Sequence, residues 1–190
     1  MSTILSKVKV IFSKYPFFAN VSIYGALYSS AEIVNQTITK KILPKIGKEE
    51  QKNLSNVAQN DSYDWKSVGR YSAYGITILG PSLHFWFKFI DRVLPGVAPK
   101  TIIKKVLIDQ FCFGFSALGL FFITMNVLEG KEKPFEGVQE KWITGFKFGM
   151  GYWIPVQAIN FFVLSPQYRV VYVGVMSFIW SNFLIYMRKT

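Results

Sequence analysis

The chain has 190 residues, of which 51% are hydrophobic, 17% aromatic and 17% charged, and its formal net charge is +11. An ordinary soluble domain carries about 25% charged residues, and a domain of this length keeps much of its surface in contact with water. The composition therefore argues against a soluble enzyme and indicates an integral membrane protein.

The excess of positive charge comes from 22 Lys and Arg against 11 Asp and Glu. The basic residues lie mostly in gaps between apolar runs, whereas the aromatic residues lie inside those runs. Basic loops of this kind meet anionic lipid head groups, at about 1 kcal/mol for each charge, while single-stranded nucleic acid is bound by interleaved basic and aromatic side chains. We expect the lipid bilayer, with anionic head groups, to be the partner and expect no direct contact with nucleic acid.

The sequence offers no catalytic or metal-binding constellation. A single cysteine, Cys112, excludes an intramolecular disulfide, and a single histidine, His84, excludes an all-histidine metal site. There is no Gly-Lys-Ser/Thr phosphate loop and no nucleophile elbow. We expect no enzyme activity, no metal and no cofactor, and we expect Cys112 to be a small buried hydrophobe and His84 to be packed in the protein.

At the N-terminus, apolar residues recur at helical spacing with lysines between them. Six apolar residues form this pattern: Ile4, Leu5, Val8, Ile11, Phe12 and Tyr15. The pattern predicts an N-terminal amphipathic helix, which could lie in the membrane interface or act as a basic, acid-free organellar targeting element. Both interpretations stay open.

The first apolar segment, 15–38, contains one charged residue, Glu32. A polar segment rich in Lys, Asn and Gln follows at 39–70, and we expect it to be a mobile loop. The second apolar segment, 71–90, ends where the residues 91–96 stop the helix and turn the chain.

The third apolar segment, 106–128, has a single charge, Asp109. At 1.5 Å per residue it is long enough to cross roughly 30 Å of hydrocarbon. The fourth and fifth segments, 143–164 and 170–187, are separated only by residues 165–169. The chain therefore has either five full spans or four spans and one tilted element.

Strands are disfavoured because period-2 alternation is absent and the apolar segments are about twice the length of a barrel strand. The predicted fold is all-α, a polytopic helical membrane bundle of four to five transmembrane segments that forms a single membrane domain over residues 1–190. Tryptophans lie mostly near the ends of the segments, where they suit an interfacial belt.

Several polar side chains are predicted to lie within the hydrocarbon. They are Glu32, Gln36, Asp109, Gln110, Gln157 and Asn160. An unpaired carboxylate at the bilayer centre costs about 2.5–3.5 kcal/mol on insertion scales, so these groups should point inward and meet one another or water. They could line a polar path through the bundle, or they could act only as hydrogen-bonding contacts between helices. Both interpretations stay open for Glu32 and Asp109, and helix packing is favoured for Gln157 and Asn160.

The order of the motifs along the chain carries a resemblance to a known family. The motif residues that we expect to be structural are Gly80, Pro81, Trp86, Asp91, Arg92, Trp153, Pro155, Arg169 and Trp180, and the same pattern includes Asp109-Gln110, Gln157 and Asn160. In this order and spacing the chain resembles the Mpv-seventeen and twenty-two-kilodalton peroxisomal membrane protein family, and it is most similar to the Mpv-seventeen-like branch.

The resemblance implies a multi-span protein of the mitochondrial inner membrane, with the peroxisomal membrane as the alternative. It also implies a weakly selective channel for small solutes with a role in organelle homeostasis and reactive oxygen metabolism, in which the six intramembrane polar residues are candidate pore-lining groups. A homo-oligomer is compatible with this view. The rival expectation is a non-transporting membrane scaffold or assembly factor. The basic N-terminus favours the mitochondrion.

Overall fold

The computed structural model describes residues 14–42 and 62–189. The predicted N-terminal amphipathic helix and the centre of the polar loop lie outside this range. Within the described ranges almost every residue is helical and none is in a strand, which confirms the all-α prediction.

The described chain forms five long helices. Helix α1 is Pro16–Thr37 and continues as a π-helical turn at Ile38–Ile42. Helix α2 covers 65–93 and contains a π-helical turn at Gly75–Leu79. Helix α3 is Pro99–Leu128, with a π-helical turn at Asp109–Gly114. Helices α4 and α5 are Val138–Val163 and Pro166–Lys189.

Helix α2 begins at Trp65, inside the segment that the sequence predicts as loop. The start is fixed by Asp64, whose side chain accepts a hydrogen bond of 2.9 Å from the Ser67 backbone N–H and so caps the first turn. A hydropathy criterion misses this turn because Lys66 and Arg70 are polar. Helix α3 likewise begins before its apolar run, at Pro99, a residue favoured in the first helical turn.

The helices run up and down around a ring. Each helix packs against its neighbour in the chain, and α1 and α5 pack together to close the ring. Contacts between Phe17 and His84 and between Glu32 and Ser67 show that α1 and α2 are antiparallel. Helices α1 and α5 run in the same direction, and Gly174 lies against Leu27 where they meet.

The bundle therefore has two ends, and we name each by an acidic residue that lies near it. We call the end where α1, α3 and α5 begin the Asp91 end, because Asp91 lies there in the last turn of α2. The opposite end, where α2 and α4 begin, is called the Glu32 end. This topology brings distant parts of the sequence to the same level of the bundle.

Large apolar side chains cover the outside of the bundle on all five helices. Examples are Phe18 on α1, Phe85 on α2, Phe111 on α3, Phe148 on α4 and Ile179 on α5, which are all more than half exposed. The buried polar side chains, by contrast, point inward; they include Asn20, Glu32, Gln36, His84, Lys105, Asp109, Gln157, Asn160 and Arg169. A globule in water has the opposite arrangement, so this distribution is that of a helical bundle in lipid.

By length and composition, one helix in the described part of the chain qualifies as a membrane span, the 30-residue α3. A shorter apolar stretch occupies Val171–Met187 in α5. Cys112, expected to be buried, is instead exposed, because it lies next to the exposed Phe111 on the outer face of α3, whereas Asp109 and Gln110 take the inner face. His84 is buried, as expected, and its Nδ1 is 3.0 Å from Asn20 Nδ2.

Candidate functional site

A small cavity lies at the centre of the ring. Its volume is about 70 Å³, room for a few water molecules. Every helix contributes at least one polar side chain to its wall: Tyr28 on α1, Tyr74 on α2, Gln110 on α3, Gln157 on α4 and Ser177 on α5. Because all five helices line the cavity, a relative movement of the helices would change the space available to a solute there.

Asp109 is the charged group of the cavity wall, and it is 3% exposed. Its Oδ1 accepts a hydrogen bond of 2.7 Å from Trp86 Nε1, and its Oδ2 accepts one of 2.7 Å from Gln157 Nε2. Bonds from neutral donors to a carboxylate are stronger than bonds between neutral groups. Asp109 also begins the π-helical turn of α3, a local widening that is frequent at functional sites.

The hydrogen bonds continue from Asp109 along α4. Gln157 Oε1 accepts a bond of 2.8 Å from Asn160 Nδ2. Asn160 is fully buried, and its Oδ1 has no hydrogen-bond partner among the described residues. This network holds α2, α3 and α4 together and still contains one unsatisfied acceptor.

Glu32 and Gln36 form a second cluster at the Glu32 end, away from the cavity wall. Glu32 Oε1 accepts hydrogen bonds from Gln36 Nε2 at 2.9 Å and from Ser67 Oγ at 2.8 Å. Gln36 Oε1 accepts a bond of 2.8 Å from the Asp64 backbone N–H. The cluster ties the end of α1 to the start of α2. The six polar residues singled out from the sequence thus divide into two groups in the structure, and a pore-lining role for any of them stays a prediction.

A third cluster of buried polar groups lies at the Asp91 end. Arg169 Nη1 is 2.9 Å and 2.8 Å from the two carboxylate oxygens of Asp91, and Lys105 Nζ is 2.6 Å from Oδ1 of the same carboxylate. Arg169 Nε also donates to Leu164 O at 3.3 Å. Both cations lie over the ring of Phe161. Arg169, a motif residue expected to be structural, thus contacts both a carbonyl oxygen and Asp91. The ion pair joins residues 78 positions apart and has no sequence signal.

The tryptophans of the motifs do not form an interfacial belt in the described structure. Trp153 and Trp180 line the central cavity, and Trp86 bonds to Asp109 inside the bundle. Their rings fill space between helices, while Trp65 is 66% exposed at the start of α2. Hydropathy segments place a tryptophan along the membrane normal but do not reveal which side of its helix faces inward.

The remaining motif residues shape α2 and α4. Gly80 allows close packing, since a Cβ there would lie 3.0 Å from Val21 Cα. Pro81 follows it in the first turn after the π-helical segment. Arg92 is exposed at the end of α2, and Pro155 lies inside α4, where it removes one backbone donor.

The apolar exterior, the all-helical ring and the buried polar side chains inside it define a helical membrane protein without a metal-binding cluster in its described residues. The family model described as the Mpv17 / PMP22 family matches residues 126–185. An Mpv17-like protein of Xenopus laevis is 31% identical over 184 residues, which are 96% of this chain and 82% of the relative. The chain therefore belongs to the Mpv17 / PMP22 family.

Two other relatives have names that give a membrane. Peroxisomal membrane protein 2 of Bos taurus is 28% identical over 97% of this chain and 89% of its own length. A mitochondrial inner membrane protein Mpv17 of Caenorhabditis briggsae is 26% identical over 68% of this chain and 72% of its own length. Both locations predicted from the sequence are thus represented among relatives. No solved structure matches the chain.

Proposed function

We propose that the protein is an organellar membrane channel for small solutes, in the mitochondrial inner membrane or alternatively in the peroxisomal membrane. The observation that carries the proposal is the central cavity, which is lined by all five helices and has the Asp109 carboxylate on its wall. A buried carboxylate within a membrane bundle is costly and typically marks an ion or solute path. The names of the relatives support the two locations.

In this proposal all five helices cross the membrane. The helices have at least 22 residues each, and at 1.5 Å per residue this length crosses roughly 30 Å of hydrocarbon. The exposed apolar side chains on every helix support the same conclusion. Helices α1, α2 and α4 carry inward polar groups, which lowers their average hydropathy without exposing those groups to lipid.

The polar path would lead from the Asp91 end to the cavity. Lys105 and Asp109 are four residues apart on α3 and therefore lie on one face, about 6 Å apart along the axis. Along the bundle axis from the Asp91 end, Lys105 and Arg169 thus come first. Asp109 and Gln157 lie about one helical turn further in, next to the cavity. A cavity of about 70 Å³ holds water but not a larger solute, so we infer that the structure is a closed state and that conduction requires the helices to move apart.

The test is conductance of the purified protein in a planar bilayer. We expect discrete current steps, and we expect Asp109→Asn to shift the reversal potential in a salt gradient, because it removes the negative charge from the wall of the cavity. Asp64→Asn is the matched control: it makes the same change at an exposed carboxylate, keeps a good helix cap and should leave selectivity unchanged. A silent bilayer, or equal selectivity in both variants, would contradict the proposal.

A non-transporting scaffold is the second candidate, and one observation favours it: both oxygens of Asp109 are already hydrogen-bonded within the bundle. In that case the carboxylate only fixes the packing of α2, α3 and α4. Asp109→Asn would then lower thermal stability in detergent and leave permeability unchanged, and pull-downs would return a stable partner. The two candidates predict opposite results in the bilayer experiment.

Location is tested separately by imaging a C-terminally tagged chain against mitochondrial and peroxisomal markers. A role in reactive oxygen metabolism and a homo-oligomer stay predictions. Peroxide release from organelles that lack the protein, compared with organelles given back the Asp109→Asn variant, would test the first of these.

A further inference from the structure

We propose that Lys105 and Arg169 form an anion-binding site, that the Asp91 side chain occupies this site in the present structure, and that a free carboxylate or phosphate group can replace it. The ligand class is a small solute or lipid that carries one of these two groups. The inference goes beyond the proposed channel, since binding at this site does not require the bundle to conduct.

The cluster of Lys105, Arg169 and Asp91 carries more positive than negative charge. Lys105 and Arg169 are both 3% exposed, and the one acidic side chain that pairs with them among the described residues is Asp91. Two buried cations thus share a single carboxylate. A buried ion without a counter-charge costs several kcal/mol, so the excess positive charge favours the binding of a further anion.

Lys105 and Arg169 have hydrogen-bond donors that no described residue uses. The Lys105 ammonium has three N–H donors, and one hydrogen bond, to Asp91, is formed within the described structure. Arg169 donates through Nε to Leu164 O and through Nη1 to Asp91, while its Nη2 makes no hydrogen bond to a described residue. Donors therefore remain for oxygen atoms of a ligand.

A hydrogen bond that does not involve Asp91 holds the Arg169 side chain in place. The guanidinium of Arg169 is oriented by Leu164 O and lies 5.1 Å from the centre of the Phe161 ring, and Lys105 Nζ lies 5.7 Å from the same ring. A binding group that is fixed before the ligand arrives loses little entropy on binding. The Arg169 guanidinium would therefore keep its position when Asp91 leaves.

An anion in solution can reach the cluster at the Asp91 side chain. The side chain of Asp91 is 32% exposed, although its two partners are buried. It lies in the last turn of α2, next to the turn that contains Gly96. The carboxylate is thus the part of the cluster that faces solvent, where a competing anion can reach it.

The charge of the surrounding surface supports the same ligand class. Arg92, Lys100 and Lys104 are exposed at the Asp91 end. In the described chain, Asp91 itself is the one acidic residue at this end, outside the Asp109 layer. A surface of one sign raises the local concentration of ions of the opposite sign, so anions are attracted to this end.

The experiment measures thermal unfolding of the full chain in a neutral detergent with sodium phosphate or sodium chloride at equal ionic strength. In wild type, phosphate should raise Tm above its value in chloride by about 2–4 °C at saturation. In Asp91→Asn the tethered carboxylate is gone, so Tm in chloride should fall, and phosphate or acetate should restore it at concentrations at least tenfold lower than wild type requires.

Two variants serve as controls. Lys105→Gln removes the excess charge and keeps the Asp91–Arg169 pair, so it should stay folded and lose the phosphate effect. Asp64→Asn changes a carboxylate far from the cluster and should keep the wild-type response. The proposal is overturned if phosphate and chloride give equal Tm in wild type, or if Lys105→Gln keeps the phosphate effect. These two comparisons decide the matter even if Asp91→Asn does not fold.

The source of the anion is distinguished in the same assay. If phosphatidylglycerol added to the micelle raises Tm and removes the further effect of phosphate, the ligand is a lipid head group. If phosphate acts and the lipid does not, the ligand is a free anion. Both results support an anion site, and both can be obtained whether or not the protein conducts in a bilayer.

Discussion

The contact between α1 and α2 leaves no space for a side chain at Gly75. A Cβ atom at this position would lie 2.5 Å from Tyr24 O and 3.1 Å from Gly25 N, both of which are backbone atoms. Ordinary contact begins at about 3.4 Å, so Gly75→Ala requires α1 and α2 to separate by about 1 Å. A backbone cannot rotate away as a flexible side chain does. The added methyl group would therefore push α1 and α2 apart at this contact.

The magnitude follows from two opposing effects. Overpacking in a close-packed interior costs about 1–3 kcal/mol, while Gly to Ala within a helix stabilises by about 0.5–1 kcal/mol. Gly69 lies in the same helix, is exposed and has open space where a Cβ would lie, with no other atom within 4 Å. Gly69→Ala should therefore show only the stabilising effect, and the two variants should differ by about 1–3 kcal/mol.

Thermal unfolding of the two variants in the same detergent measures this difference. At about 2–4 °C for each kcal/mol, Gly75→Ala should unfold about 2–12 °C below Gly69→Ala. If Gly75→Ala unfolds at or above the temperature of Gly69→Ala, the backbones of α1 and α2 are not in contact at Gly75. The described arrangement of the helices in a ring would then be wrong.

Two other substitutions test individual contacts by the same unfolding assay. Trp86→Phe removes the N–H that bonds to Asp109 and should lower the free energy of unfolding by about 1–3 kcal/mol. Trp65→Phe, at an exposed ring, is the control and should change the stability little. Equal effects of the two substitutions would contradict the buried hydrogen bond. Asp64→Ala removes the cap of α2 and should cost about 1 kcal/mol, whereas Asp64→Asn keeps a capping side chain; equal losses in the two variants would show that the cap contributes nothing.

Each of the five predicted apolar segments falls on one of the five long helices, because every helix carries exposed apolar side chains on its outer surface. The sequence misses the start of α2, because Lys66 and Arg70 make the first two turns polar. The Asp64 cap nevertheless determines where the helix begins. A single aspartate near the end of a long polar segment is a weak signal for a helix start, and hydropathy alone gives no weight to it.

The candidate site shows the same limit in another form. The contact between Gln157 and Asn160 could be predicted, because a separation of three residues places both on one helix face. The contacts of Asp109 with Trp86 and of Asp91 with Arg169 could not, since they depend on which helices become neighbours in the ring. Sequence periodicity describes one helix at a time, and these contacts join different helices.

The central claim is that hydrocarbon surrounds the apolar outer surface of this bundle while polar groups meet inside it. Cys112 tests it without any substitution, because it is the single cysteine of the chain and lies exposed near the middle of α3. A nitroxide spin label on Cys112, in protein reconstituted into liposomes, should collide often with oxygen, which concentrates in lipid, and rarely with a water-soluble nickel chelate. Frequent collisions with the chelate would place this surface in water and contradict the account.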